Sequence, residues 1–115
     1  MRGWTTKKQP RVKGYRKTEY NGIVYHSALE AKVARDLDML RHAKKPEERI
    51  VEIRRQVPFI LIPDPITYLA DFLVKYSDGR YEVIEVKGYM THEARRKLKL
   101  FQKQNPKLPL KIVTK

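Results

Sequence analysis

Apolar and polar residues alternate along two neighbouring stretches in the middle of the chain. The first, "ITYLADFLVKY" at 66–76, has apolar residues at every second position, and these share one face of a strand: Tyr68, Ala70, Phe72 and Val74. The second, "YEVIEVKGY" at 81–89, has Val83 on one face and Ile84 and Val86 on the other. Both stretches predict strands, and the second predicts a strand that is partly buried on both faces.

A first helix is predicted over 27–43, after a hairpin whose turn is Asn21-Gly22. Ser27 and Glu30 have the spacing of a capping box at the N-terminus of this helix. Its apolar stripe consists of Leu29, Val33, Leu37 and Leu40. At about 100° per residue, Glu30 is expected at the margin of this stripe, whereas Asp38 is expected to point to solvent.

The remaining stretches complete a pattern of mixed helices and strands. Residues 50–62 predict a strand, and Pro58 within it indicates a position at the edge of a sheet. Residues 91–104 predict a helix with one apolar and one basic side, and 108–115 predict a final strand. The order of elements predicts an α/β (α+β) domain, in which helices flank a mixed β-sheet.

Positive charge is abundant throughout this chain of 115 residues, whose net charge is +13. Residues 1–19 are predicted to form a basic flexible arm, and 20–115 a single domain. Such an excess of Lys and Arg predicts a polyanionic partner, in the first place nucleic acid. The expected DNA contacts are Lys7, Lys8, Arg11, Lys13, Arg16 and Lys17 in the arm, and Arg54, Arg55, Arg95 and Lys99 in the domain. The alternative is that the arm and the basic helix face are only solvated.

The composition excludes several kinds of site. The chain has no cysteine, so it has neither disulfides nor thiolate zinc sites. His26, His42 and His92 are scattered and do not have metal-ligand spacing. No apolar run approaches the roughly 20 residues that a membrane-spanning helix needs, and the N-terminus lacks the apolar core of a secretion signal. We therefore expect a cytoplasmic protein with no membrane partner.

The turn between the two central strands decides which side chains face each other. A two-residue loop would place Asp71 and Glu85 on opposite faces, whereas a three-residue loop at 77–79 places them directly across from each other. Three-residue hairpin loops favour a left-handed residue at their end, where this chain has Gly79. The turn chemistry therefore predicts that the two carboxylates meet.

Facing carboxylates repel each other, and a divalent cation removes the repulsion. Oxygen ligands suit Mg²⁺, with Mn²⁺ as a substitute, and the ion can orient a water and polarise a phosphate. Lys87 can position or deprotonate that water, or neutralise developing negative charge, and Glu30 can add a third carboxylate. Structural alternatives remain: Glu85 and Lys87 as a surface ion pair, Glu30 as a capping residue only, and Asp71 bonded to a backbone group.

Three short motifs, "SALEAK", "YLADF" and "IEVKG", resemble in this order those of the PD-(D/E)xK nuclease superfamily, and within it those of phage-type Holliday-junction resolvases. The likeness covers about residues 20–113. It implies a restriction-endonuclease-like fold, Mg²⁺-dependent phosphodiester hydrolysis and a homodimer. By motif position, Asp71 and Glu85 resemble the metal-binding carboxylates, which the backbone carbonyl of Val86 commonly joins. Lys87 resembles the catalytic lysine, and Glu30 the helix carboxylate.

One position departs from the motif, because Ala70 stands before Asp71 where the superfamily's name has proline. A literal Pro63-Asp64 is not the expected site, since Asp64 lies between two prolines in a predicted turn.

The expected function is a Mg²⁺-dependent, structure-selective DNA endonuclease that resolves four-way junctions by paired symmetric nicks. Because the junction is two-fold symmetric, an isologous homodimer suits it. No small-molecule substrate is expected, and the compartment would be the host cytoplasm if the protein is phage-encoded. Two alternatives stay open: a phage DNA-processing nuclease acting on flaps, ends or specific sequences, and a non-catalytic basic DNA-binding module.

Overall fold

A computed structural model of the chain describes residues 17–63 and 66–114. The elements, in chain order, are β1 (Thr18–Tyr20), β2 (Ile23–Tyr25), α1 (Ala28–Met39), β3 (Ile50–Leu61), β4 (Ile66–Tyr76), β5 (Tyr81–Lys87), α2 (His92–Gln104) and β6 (Leu110–Thr114). A short 3₁₀ turn, Leu40–His42, follows α1. The first strand begins at Thr18, two residues before the predicted start of the domain. Neither described helix is long and apolar enough to cross a membrane.

The described strands form two sheets, a β1–β2 hairpin and a four-stranded sheet in the order β3-β4-β5-β6. The pairs β3–β4 and β4–β5 are antiparallel, whereas β5 and β6 are parallel and are connected through α2. The mixed sheet with flanking helices that the sequence predicts is therefore confirmed. β3 is an edge strand of this sheet, as Pro58 indicates.

Local sequence signals account for the β1–β2 hairpin and for the start of α1. Asn21 and Gly22 both have positive φ, 54° and 81°, which is the backbone of a tight two-residue hairpin turn. The Ser27 hydroxyl accepts a hydrogen bond from the Glu30 N–H at 3.1 Å and caps α1. The Glu30 carboxylate in turn accepts from the His26 N–H at 3.1 Å, one residue earlier than a capping box requires.

Two expectations for α1 were wrong. Its buried residues include Ala31 and Ala34 besides Val33 and Leu37, so the buried face is wider than the predicted stripe and includes Glu30. Asp38 is half-buried instead of pointing to solvent, because its carboxylate accepts a hydrogen bond from the Tyr20 hydroxyl at 2.9 Å. Small alanines let a helix approach the sheet closely, so they extend the buried face beyond the larger apolar residues of the stripe.

The core of the described residues consists of two clusters, one beside each helix. The cluster beside α1 includes Phe72, Val74 and Ile84, and the cluster beside α2 includes Tyr68, Ala70 and Val83. Consecutive residues of a strand point to opposite faces, so Val83 and Ile84 show that the clusters lie on opposite sides of the sheet. The alternating residues of β4 were expected to share one face, but the structure divides them between the two clusters.

The division of β4 occurs at Asp71. Gln56 of β3 has a φ of 51°, and the β3–β4 ladder passes from the pair Arg55–Phe72 to the pair Val57–Ala70 without pairing Gln56 with Asp71. A left-handed residue in a strand changes the direction in which its neighbours point. Asp71 therefore lies where β4 changes from one core cluster to the other.

The predicted register of the β4–β5 hairpin is confirmed. Gly79 has a φ of 95°, and the Tyr76 N–H donates to the Arg80 carbonyl at 2.8 Å, which closes a three-residue loop at 77–79. The ladder runs from Lys75–Tyr81 to Phe72–Ile84. One further step in this register places Asp71 across from Glu85, at the position where the two strands stop pairing.

Candidate active site where β4 and β5 separate

Asp71 lies at the end of the β4–β5 ladder. Its Oδ2 atom accepts a hydrogen bond from the Val86 N–H at 2.8 Å, so the side chain satisfies a β5 backbone group that β4 no longer pairs. Asp71 therefore makes the backbone hydrogen bond that its structural alternative predicts. The bond also fixes the carboxylate between β5 and the first turn of α1. The Val86 group in this contact is the N–H, whereas the family resemblance implies a role for its carbonyl.

Glu30 of α1 faces the same space as Asp71. It is 6% exposed, although it was expected at the margin of the buried face. Burial raises the pKa of the Asp71 carboxyl from the ordinary 3.8 to about 6, and the negative charge of Glu30 acts in the same direction. The Val86 hydrogen bond and the Lys87 ammonium act in the opposite direction, but they do not cancel the effect of burial.

Glu85 is the most deeply buried of the three carboxylates, at 3% exposed. Its Oε1 atom accepts a hydrogen bond from the Tyr68 hydroxyl at 2.5 Å, and its Oε2 atom lies 3.3 Å from the Lys87 Nζ. Burial raises the pKa of Glu85 above its ordinary value, and the charge of Asp71 adds to this, while Tyr68 and Lys87 oppose it. Each of the two oxygens of Glu85 therefore has a side-chain donor beside it. Asp71 differs, because its donor is the Val86 backbone N–H, which is hydrogen-bonded to Oδ2.

Two clefts open side by side at this point. The Glu30 cleft, of about 270 Å³, is lined by Glu30, Asp71, Val86 and Tyr89 among others. The Tyr68 cleft, of about 300 Å³, is lined by Tyr68, Glu85, Thr67 and Lys97 among others. Lys87 and Thr91 border both clefts. Lys87 is thus the cation common to both, and its side chain is 30% exposed, so a ligand in either cleft can approach it.

The four residues predicted to be catalytic, Glu30, Asp71, Glu85 and Lys87, lie around these clefts. Glu30 and Asp71 lie together, and Glu85 is close enough to Asp71 for the Asp71 charge to raise the pKa of Glu85. Within residues 17–63 and 66–114, however, no three His, Cys, Asp or Glu side chains are gathered in a group that could hold a metal ion. The structure therefore shows a pair of acidic groups beside a third, partnered carboxylate.

The residues predicted to contact DNA have different surroundings. Lys7, Lys8, Arg11, Lys13 and Arg16 lie outside the described residues, and Lys17 is exposed at the first described position. Arg54 pairs with Glu52 at 2.5 Å, and the Arg55 guanidinium lies 4.6 Å from the centroid of the Tyr25 ring. Arg95 and Lys99 are exposed on α2 and make no ion pair with the part of the chain that the structure describes.

Tyr68 and Tyr89 line the clefts but were not among the predicted site residues. Tyr68 has the spacing of a core residue of β4, and its hydroxyl was the only signal that it needs a buried acceptor. Tyr89 follows Lys87 by two residues and is 72% exposed, so the alternation of the strand gave no reason to select it.

The comparison with protein families gives one assignment. The chain belongs to the family described as "Protein of unknown function (DUF1064)", whose model matches residues 12–115. No curated protein matches the sequence. Family membership thus assigns no reaction, and the function has to be inferred from the site itself.

Proposed function

We propose that the protein is a Mg²⁺-dependent, structure-selective DNA endonuclease that acts as a homodimer and resolves four-way junctions by paired nicks. The observation that supports this most is the arrangement around Asp71. Its half-buried carboxylate faces Glu30, lies beside the buried Glu85, and shares its surroundings with the Lys87 ammonium. Carboxylates with raised pKa values in a cleft, next to a cation, are frequent at catalytic sites.

The donors at the clefts fit a hard cation. Asp71, Glu30 and Glu85 offer oxygen atoms, and Mg²⁺ prefers oxygen ligands, usually one or two carboxylates together with water and substrate phosphates. A cation at the Glu30 cleft would offset the repulsion between Asp71 and Glu30. When bound, Mg²⁺ supplies Lewis-acid polarisation of a phosphate and orientation of the attacking water. The residues that would hold it are Asp71 and Glu30, with Glu85 and the Val86 carbonyl as further donors.

Lys87 is placed to stabilise the negative charge of a bound phosphate. Its ammonium pairs with Glu85 on the protein side and remains partly open to solvent, so it can meet a phosphate oxygen without losing that partner. A cation there stabilises negative charge that develops on the phosphate in the transition state. Asp71 is ionised above a pH of about 6, so near neutral pH the site presents the negative charge that a cation requires.

The substrate class follows from charge and size. The net charge of +13 favours a polyanion, and exposed cations such as Arg95 and Lys99 are free to contact phosphates. Contacts to phosphates do not distinguish one base sequence from another. A domain this small has little room for additional contacts that read the bases. Selection by DNA structure is therefore favoured over selection by sequence, and a two-fold symmetric junction matches two copies of the chain.

The experiment that tests this proposal is cleavage of a synthetic immobile four-way junction. Linear duplex, flap and single-stranded DNA serve as substrate controls, each with Mg²⁺ and with EDTA, and cuts are mapped on all four strands. Asp71→Asn is the inactivating variant. Asp78→Asn is its matched control, because Asp78 pairs with Arg80 in the hairpin turn.

We expect paired nicks across the junction with Mg²⁺, none with EDTA, and activity in Asp78→Asn but not in Asp71→Asn. Cutting spread over flaps or duplex would keep the nuclease but change its substrate to general DNA processing. Full activity of Asp71→Asn would overturn the proposed site.

A second candidate function has one observation in its favour. Glu85 has a partner for each of its oxygens in Tyr68 and Lys87, which is also what a purely structural buried ion pair requires. A basic DNA-binding module with structural carboxylates would bind the junction equally in EDTA and cut no strand with Mg²⁺ or Mn²⁺.

A further inference from the structure

Tyr68 lines the Tyr68 cleft, and its hydroxyl has no role in the proposed reaction. It is 4% exposed, and its ring packs against Phe59 and Phe101 with centroid distances of 6.2 and 5.0 Å. A phenylalanine would fill this position equally well, so packing alone does not explain the hydroxyl. The hydroxyl is directed at Glu85 Oε1, at a distance of 2.5 Å.

The bond from Tyr68 fixes the carboxylate plane of Glu85. Lys87 holds the other oxygen at 3.3 Å, so the two contacts together leave the carboxylate little freedom to rotate. Burial and the neighbouring Glu85 charge raise the pKa of Tyr68 well above its ordinary value, which keeps the hydroxyl a donor. A carboxylate that is already oriented loses less conformational entropy when it takes part in binding.

We propose that Tyr68 is a positioning residue, which acts through Glu85 by holding its carboxylate in the orientation that the metal site uses. The inference rests on the proposed function, since it names what keeps a residue of that site in place. Partners that hydrogen-bond a metal-ligating group typically contribute a factor of about 10 to 100 to metal affinity.

The test compares Tyr68→Phe with Tyr76→Phe. Tyr76 is a matched control, because its hydroxyl donates to Glu82 at 2.6 Å on the same pair of strands but outside the clefts. Mn²⁺ affinity is measured by electron paramagnetic resonance on the full chain without DNA, and kcat and KM for junction cleavage are measured separately. Circular dichroism confirms that each variant is folded.

We expect Tyr68→Phe to weaken Mn²⁺ binding by about 10-fold or more and to lower kcat with little change in KM. Tyr76→Phe is expected to equal the wild type in both measurements. In a Glu85→Ala background, which removes the acceptor of the Tyr68 hydroxyl, Tyr68→Phe should have no further effect, because the residue would act only through Glu85.

Equal Mn²⁺ affinity in wild type and Tyr68→Phe would overturn the positioning role while leaving the nuclease proposal intact. An undiminished effect of Tyr68→Phe in the Glu85→Ala background would also overturn it, since the hydroxyl would then act by another route. A wild-type protein that binds no Mn²⁺ and cuts no junction would instead refute the proposed function itself.

Discussion

The Glu30 cleft and the Tyr68 cleft are adjacent, but the carboxylates that line them have different partners. In the Tyr68 cleft, Glu85 has a hydroxyl donor on one oxygen and an ammonium on the other. In the Glu30 cleft, Asp71 has one backbone donor and a second carboxylate in front of it. Burying a charge is costly unless it is paired, so the Glu30 cleft is the one where an added cation stabilises the protein most. Two donors already orient the Glu85 carboxylate, whereas the Asp71 carboxylate faces a second negative charge that a cation can offset.

The largest effect is expected for Lys87, which borders both clefts. Lys87→Ala should lower the rate of junction cleavage by about 10³-fold, because the charge that stabilises the transition state is lost. Lys75→Ala is the control, since the Lys75 ammonium lies 5.6 Å from the centroid of the Tyr81 ring, away from the clefts. Single-turnover cleavage measures both, and a Lys87→Ala rate within a few-fold of the wild type would remove Lys87 from the mechanism.

The next effect is on stability and concerns Asp71. Between its ordinary pKa of 3.8 and the folded-state value of about 6, the folded protein binds the extra proton. The contribution of Asp71 to stability is therefore highest at low pH and is lost as the pH rises through 6. Asp71→Asn removes the buried charge and should be more stable than the wild type at pH 7.5, by on the order of 1 to 3 kcal/mol.

Urea unfolding in EDTA at pH 4.5 and pH 7.5 measures this difference, which should grow with pH. If Asp71→Asn were less stable than the wild type at pH 7.5, the Val86 hydrogen bond and the Lys87 charge would outweigh the cost of burying the Asp71 charge. Asp71→Asn is also expected to cut no junction, so the gain in stability and the loss of cleavage should occur in one variant.

A smaller effect is expected for Glu30, which tests whether it belongs to the metal site or only caps α1. Glu30→Gln keeps an oxygen that can accept from the His26 N–H and removes the charge facing Asp71. We expect Mn²⁺ affinity to fall by about 10-fold with little loss of stability. Asp36→Asn on the same helix is the control, because Asp36 is exposed and pairs with Lys32 at 3.1 Å. An unchanged affinity in Glu30→Gln would reduce Glu30 to its capping role.

The smallest effect concerns the turn that brings the two clefts together. Gly79 has a φ of 95° and open space around it, so Gly79→Ala acts through backbone strain and not through a clash. We expect a loss of about 1 kcal/mol in the free energy of unfolding. Urea unfolding measures this, and a neutral or stabilising effect would contradict a turn that depends on glycine.

Local sequence signals predicted the register on which the site depends. Gly79 indicated a three-residue loop, and the resulting register places Asp71 across from Glu85. Ser27 likewise indicated where α1 begins. Such features follow from a few adjacent residues, since turn and cap geometry depend on local backbone conformation.

Other features depended on contacts between distant parts of the chain. The burial of Glu30 follows from Ala31 and Ala34, which allow α1 to approach the sheet, and this requires knowing what the helix packs against. The change of face at Asp71 accompanies a left-handed Gln56 on the neighbouring strand, a conformation that its residue type does not suggest. The contact between the Tyr68 hydroxyl and Glu85 joins two strands, so the residues around Tyr68 do not predict it.

The most direct test of the account is the location of a metal ion in crystals of the protein soaked in Mn²⁺, found by anomalous scattering. We predict a Mn²⁺ ion in the Glu30 cleft with the Asp71 carboxylate among its ligands, and no ion there in Asp71→Asn crystals. A protein that cuts junctions with Mn²⁺ but whose crystals hold the ion away from Asp71, or retain it in Asp71→Asn, would contradict the site proposed here.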